Sequence, residues 1–175
     1  MKRGIWISIM LLIFLSGRVQ AQEECVVGNI VENVTLQNLD GTPATLPMWG
    51  EKNLLIFYVD PDHPRQNQEF AAEMEEKHLA AGENIYGFGI MNLKDAPLIP
   101  NNLACSIANK RTAKNNATIL ADKGRVLSKA WGLGDCNNYF VMLLVSKEGE
   151  LIYLHKGEFT EEEKAEFYQT IEPYR

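Results

Sequence analysis

The chain has 175 residues, with 17 basic and 23 acidic side chains and a formal net charge of −6. That length suits one domain with a substantial core, and an acidic chain without a basic cluster argues against nucleic acid or an anionic lipid surface as partner. Three cysteines and three histidines, scattered and without a C-x-x-C pair, give neither a disulfide framework nor a zinc spacing.

Lys2 and Arg3 precede an apolar run from Ile5 to Leu15, broken only by Ser8, and Val19-Gln20-Ala21 supplies small residues for cleavage before Gln22. Residues 1–21 are thus expected to be a secretory signal peptide, too short to span a bilayer. Residues 22–175 are expected to form a single exported domain. The leader holds three basic residues and no acid, so the remainder carries −9. Cys25, Cys105 and Cys136 all fall in that remainder, and at least one must stay unpaired in a monomer.

Short β-prone pieces around Ile30-Val31 and Val34-Thr35-Leu36, then Asp40-Gly41 and Ala44-Thr45-Leu46, predict a small hairpin. Leu54 to Val59 is apolar on both faces, as in a strand covered from each side. It ends on Asp60-Pro61-Asp62-His63-Pro64, a strand-to-helix elbow of the kind where α/β folds place their chemistry. The spacing of Phe70, Ala71, Met74 and Leu79 predicts a helix over 65–81, with Asp62 as its N-cap and Gly82 as its end.

Ile85 to Met91 reads as a second buried strand and Asn101 to Lys114 as a second helix, with Leu103, Ala104 and Ile107 facing inward and Cys105 a small core residue. Thr118 to Leu120 is a short strand, Asp122-Lys123-Gly124 a turn, and Val126 to Trp131 a helical turn. Tyr139 to Val145, Lys147-Glu148-Gly149 and Glu150 to His155 form a second hairpin. Thr160-Glu161-Glu162-Glu163 is a capping box that opens a last helix burying Phe167 and Ile171. Strand, helix, strand, helix, hairpin, helix makes an α/β sandwich, a mixed central sheet with helices on both faces.

The hairpin, the strand ending in Phe57-Tyr58, the elbow and the long helix resemble the thioredoxin-like superfamily. So do Asp122-Lys123-Gly124, Ala130-Trp131-Gly132-Leu133 and the Lys147-Glu148-Gly149 turn. Within it, Asn92-Leu93-Lys94-Asp95-Ala96 and Lys156-Gly157-Glu158-Phe159-Thr160-Glu161-Glu162-Glu163 resemble the YtfJ-type periplasmic proteins. The resemblance implies a thioredoxin-like three-layer sandwich in a periplasm. It also puts Asp62 and Arg65 where the two active-site thiols stand. No proline occurs between Pro100 and Pro173, so the superfamily's cis-proline is missing as well. A dithiol mechanism is not expected.

Two functional readings follow. In the first, the chain is a non-catalytic module that holds a protein or peptide through Asp60, Asp62, His63, Arg65, Asn137 and Asn138. The plainer alternative there is that Asp62 caps the helix, Arg65 pairs with a carboxylate and His63 is solvated. In the second, Cys136 is the nucleophile of a one-cysteine redox enzyme or peroxidase, with Cys105 or Cys25 resolving. Its alternatives are an inert, half-buried thiol or a bond to Cys105. No cofactor is expected. Asp60, Asp62 and His63 would need further ligands to hold a metal, and none is expected either.

Overall fold

The computed structural model describes residues 26–79 and 81–175. The leader and Cys25 lie outside the described residues. The first elements are β1 (Thr35–Gln37), β2 (Pro43–Thr45), β3 (Asn53–Val59), α1 (Gln68–Glu76), β4 (Ile85–Asn92) and α2 (Asn101–Asn115). They are followed by β5 (Ile119–Asp122), α3 (Val126–Ala130), β6 (Phe140–Val145), β7 (Leu151–Lys156) and α4 (Glu161–Ile171).

The seven strands form one sheet in the order β2-β1-β5-β4-β3-β6-β7. β3, β4 and β5 are parallel neighbours, while β6 and β7 return antiparallel on one side and β1 and β2 on the other. The apolar runs explain the centre: Leu54, Leu55, Ile56 and Tyr58 of β3 and all six residues of β6 are buried. Alternate residues of β3 feed opposite faces. Leu54, Ile56 and Tyr58 pack with Leu36, Leu46, Leu127 and Trp131. Leu55, Phe57 and Val59 pack with Phe70 and Met74 of α1 and Phe167 and Ile171 of α4. Right-handed crossovers from β3 to β4 and from β4 to β5 step across the sheet in one direction, which puts α1 and α2 on the same face. The α/β sandwich with helices on both faces stands, with α3 on the opposite side from α1, α2 and α4.

Three local expectations are corrected. α1 begins at Gln68 and is preceded by Asn67, not Asp62, because the elbow turns through residues 61–67 before the helix starts. It ends at Glu76, where His78 adopts φ 54° and the Leu79 N–H donates to the Met74 carbonyl, folding the chain back over the last turn. α2 turns Leu103 and Ile107 to solvent and buries Ala104, Cys105 and Ala108 against Met91, Leu93 and Ala121. Small side chains let this helix lie close to the sheet, and that outweighs the larger transfer gain of leucine and isoleucine. No described helix is long and apolar enough to cross a membrane.

Candidate functional site

Each of the three parallel strands runs into a buried polar residue at its carboxyl end: Asp60 after β3, Asn92 closing β4 and Asp122 closing β5. A buried carboxylate must be hydrogen-bonded, and the partners of these residues show what the end of the sheet is built for.

Asp60 is 2% exposed. Its Oδ1 accepts the Asp62 N–H at 2.9 Å, tightening the elbow, and its Oδ2 accepts the Asn138 N–H at 2.8 Å. The elbow is thereby fastened to the loop that precedes β6. Gln66 makes a second fastening beside it. Its side-chain Nε2 donates to the Asn138 carbonyl at 2.8 Å and its Oε1 accepts the Phe140 N–H at 2.6 Å, so one carboxamide pairs with the lead-in of β6 as a neighbouring strand would. Asn67 makes a third: Nδ2 donates to the Gly157 carbonyl at 2.7 Å and Oδ1 accepts the Phe159 N–H at 2.9 Å, reaching the segment between β7 and α4. Asn67 holds φ 54°, a left-handed conformation that asparagine tolerates better than most residues. Asp62, half-buried, accepts the Leu98 N–H through Oδ2 at 3.0 Å and so ties the elbow to the loop before α2.

His63 and Arg65 are left pointing outward, both exposed. Asn138 is exposed as well, with φ 63°, and the half-buried Asn137 donates its N–H to Asp135 Oδ1 at 3.0 Å. The residues singled out as one surface therefore divide. His63, Arg65 and Asn138 face solvent together with Tyr139, whereas Asp60 lies beneath them as a fastener. Beside them, a shallow cleft of about 440 Å³ is lined by Gly132 to Asp135, Tyr139, Leu154 and Lys156. The Lys156 ammonium donates to the carbonyls of Leu133 at 2.6 Å and Asp135 at 2.8 Å, holding the loop in place.

Cys136 lies under that loop, 2% exposed, among Tyr58, Leu133 and Val141. Burial is the main influence on its thiol and pushes it up to about 11; Lys156 pulls the other way, and Asp135 adds to the rise. The thiol is neither half-exposed nor bonded to Cys105. Cys105 and Cys136 are both free, and they occupy different parts of the core, Cys105 beneath α2 and Cys136 on the opposite face of the sheet. A neutral, buried thiol is a poor nucleophile.

Asp122 was legible only as part of a turn, and it proves to be a cap. Its Oδ1 accepts the N–H groups of Gly124 and Val126 at 3.0 and 2.8 Å, and its Oδ2 accepts that of Leu127 at 3.0 Å and the Tyr58 hydroxyl at 3.3 Å. Burial and the Asp122 charge push the Tyr58 phenol far above its ordinary range. Asp95, also buried, takes the Arg125 guanidinium and the Asn92 amide. Burial pushes its carboxyl up, but the Arg125 and Asn92 hydrogen bonds outweigh this and hold it below the usual carboxylate range. Among the described residues no group of three or more histidine, cysteine, aspartate or glutamate side chains is arranged to hold a metal ion.

No protein-family model matches the chain, and no curated protein is significantly similar to it in sequence. Solved structures do match. The thioredoxin domain of a thiol-disulfide oxidoreductase from Bacteroides vulgatus superposes with a TM-score of 0.55 at 14% identity, covering 85% of this chain and 97% of its own. The reduced 2-Cys peroxiredoxin of Plasmodium vivax gives 0.57 at 13% identity over 84% and 96%. An exposed lipoprotein thioredoxin of Streptococcus pneumoniae gives 0.52 at 16% identity over 79% and 98%. At such identities the likeness speaks for the backbone alone, and the sheet order, the elbow after β3 and the closing β6-β7-α4 unit agree with it. The chain has the thioredoxin-like fold.

Proposed function

We propose that the chain is an exported, thioredoxin-like binding module without dithiol activity, whose elbow and Gly132–Asn138 loop hold a protein or peptide partner. The observation that carries this reading is the state of the elbow. The thioredoxin-like resemblance assigns Asp62 and Arg65 to the positions that thiols would occupy, and in the structure Asp60, Gln66 and Asn67 lock the turn to β6 and to the start of α4. Reactive sites keep their nucleophile free and accessible; here the polar groups nearest the turn are committed to the fold. The exposed His63, Arg65, Asn138 and Tyr139 with the adjoining cleft provide a mixed aromatic and charged surface suited to a polypeptide. The likeness to YtfJ-type proteins, and with it a periplasmic address, belongs to the same proposal.

The alternative, a one-cysteine enzyme at Cys136, requires the loop to open, since the thiol is buried and raised to about 11. Two measurements separate the readings. Wild-type protein is expected to show no turnover in disulfide-reduction and peroxide-consumption assays; turnover abolished by Cys136→Ser would replace the binding reading with the enzymatic one. Partners captured from a periplasmic extract are expected to be lost from the His63→Ala, Arg65→Ala, Tyr139→Ala triple variant. An unchanged set of captured proteins would remove the elbow surface from consideration.

A further inference from the structure

A second cleft lies away from the elbow. It has a volume of about 520 Å³ and is lined by the β1-β2 turn at Leu39 to Gly41, by one face of α2 carrying Asn101, Asn102, Ser106 and Asn109, and by Lys123 after β5. Leu39 and Cys105 supply the only apolar floor.

The two ends of this cleft carry opposite charge. β4 and β5 are parallel, so α2, which joins them, runs against both and brings its amino end to the carboxyl end of β5, where Lys123 stands. β1 is antiparallel to β5, with Gln37 opposite Ala121. Asp40, three residues further along, therefore lies beyond the start of β5, beside the later turns of α2 and Asn109. Neither charge is neutralised by the protein. Lys123 makes no ion pair among the described residues and is exposed. Asp40 receives only the Thr42 N–H and hydroxyl, both on Oδ1, which hold its carboxyl below the usual range and therefore ionised. Between the two poles, Asn101, Asn102, Ser106 and Asn109 have no side-chain hydrogen bond to the protein among the described residues, and all four are exposed to the cleft.

A ligand for such a cleft needs an anion at one end, a cation at the other and amide-like groups between. From Asn102 to Asn109 the helix rises roughly 10 Å, which is about the span of three extended residues. We propose that this cleft binds a short free peptide of about three residues, with its terminal carboxylate at Lys123 and the first turn of α2 and its terminal ammonium at Asp40. The carboxamides of Asn101, Asn102 and Asn109 both donate and accept, and so they pair with the peptide's own amides without selecting its side chains. This binding is independent of the elbow.

The test is an NMR titration of the 15N-labelled protein with trialanine carrying free termini, set against N-acetyl-trialanine amide. The expected result is saturable shifts at the amides of Gly41, Asn102, Ser106 and Asn109, with a Kd on the order of 1 mM. The free peptide with Lys123→Gln or Asp40→Asn is expected to bind about fivefold more weakly, the effect of one exposed charge pair, and the capped peptide, which loses both pairs, about 25-fold more weakly. Absence of saturable shifts at roughly 10 mM peptide, ten times that Kd, would overturn the proposal. Equal binding of the capped peptide would do so as well. Shifts confined to His63, Asn138 and Tyr139 would move the ligand to the elbow, removing this site while leaving the elbow surface in place.

Discussion

Two polar regions of this molecule use their hydrogen-bonding groups in opposite ways. At the elbow, Asp60, Gln66 and Asn67 direct their side chains inward and across the molecule, and each joins backbone groups of another element. Along α2, Asn101, Asn102, Ser106 and Asn109 direct theirs into a cleft and bond to no other part of the protein among the described residues. Polar composition alone would rank the two alike. Their geometry separates a region whose polar groups hold the fold from one whose groups are open to a ligand. Substitutions should therefore affect stability at the first and leave it untouched at the second.

The largest effect is expected at Asp60. Replacing it by alanine removes two charge-assisted bonds and leaves the N–H groups of Asp62 and Asn138 without their acceptor, a loss of about 2–3 kcal/mol. Urea unfolding of Asp60→Ala measures it. A cost below about 0.5 kcal/mol, the range of ordinary surface changes, would mean that the elbow is not fastened as described. Asn67→Ala comes next. It loses the bonds to Gly157 and Phe159 and also places alanine at a left-handed φ of 54°, together about 1–2 kcal/mol. Asn67→Gly keeps the backbone comfortable, so the difference between the two variants isolates the conformational part.

How much of this could be read from residues alone depends on how local the cause is. The hairpin at β1-β2, the apolar β3, and the capping box at Thr160 and Glu163, both halves of which are present, are set by neighbours a few positions apart, and the sequence shows them directly. The fasteners are not local. Gln66 meets Asn138 and Phe140, more than seventy positions away, and Asn67 meets residues at 157 and 159; nothing near Gln66-Asn67 signals those partners. Without them, Asp62 was the natural choice of cap, being the last acid before the helix-forming stretch. α2 shows a different limit. Leu103 and Ile107 recur at i and i+4, and so do Ala104 and Ala108, so periodicity allows either face inward. The close approach to Met91, Leu93 and Ala121 chooses the small one. The free side chains of the cleft were invisible for the same reason, because they are defined by the absence of contacts that only the fold can show.

Cys136 sharpens the contrast through pH. Its thiol is raised to about 11 in the folded protein, against roughly 8.5 for an unperturbed cysteine. A group whose folded value is raised contributes stability that is fully present below about pH 8.5 and is lost as pH rises toward 11. Stability is therefore expected to fall over that interval, and Cys136→Ala is expected to flatten the fall, although Tyr58, raised for the same reason of burial, keeps part of it. Native protein at pH 8 should react with a thiol reagent at Cys136 only as fast as it opens, and a rate equal to that of the unfolded chain would contradict the buried position.

The smallest expected effect falls on the cleft, and it is the more discriminating for being small. Asn102 and Ser106 are exposed on α2 and make no side-chain bond among the described residues. Alanine is the better helix former at both positions, by a few tenths of a kcal/mol each. The double variant Asn102→Ala, Ser106→Ala should thus unfold within about 0.5 kcal/mol of wild type, on the stabilised side if either. In the proposed peptide site these side chains serve the ligand and not the fold. Should the double variant lose more than about 1 kcal/mol, these residues would belong with Asp60 and Asn67 as structural groups, and the contrast between the two regions would collapse. Unchanged stability combined with lost trialanine binding is the one result that a purely structural role for α2 cannot produce.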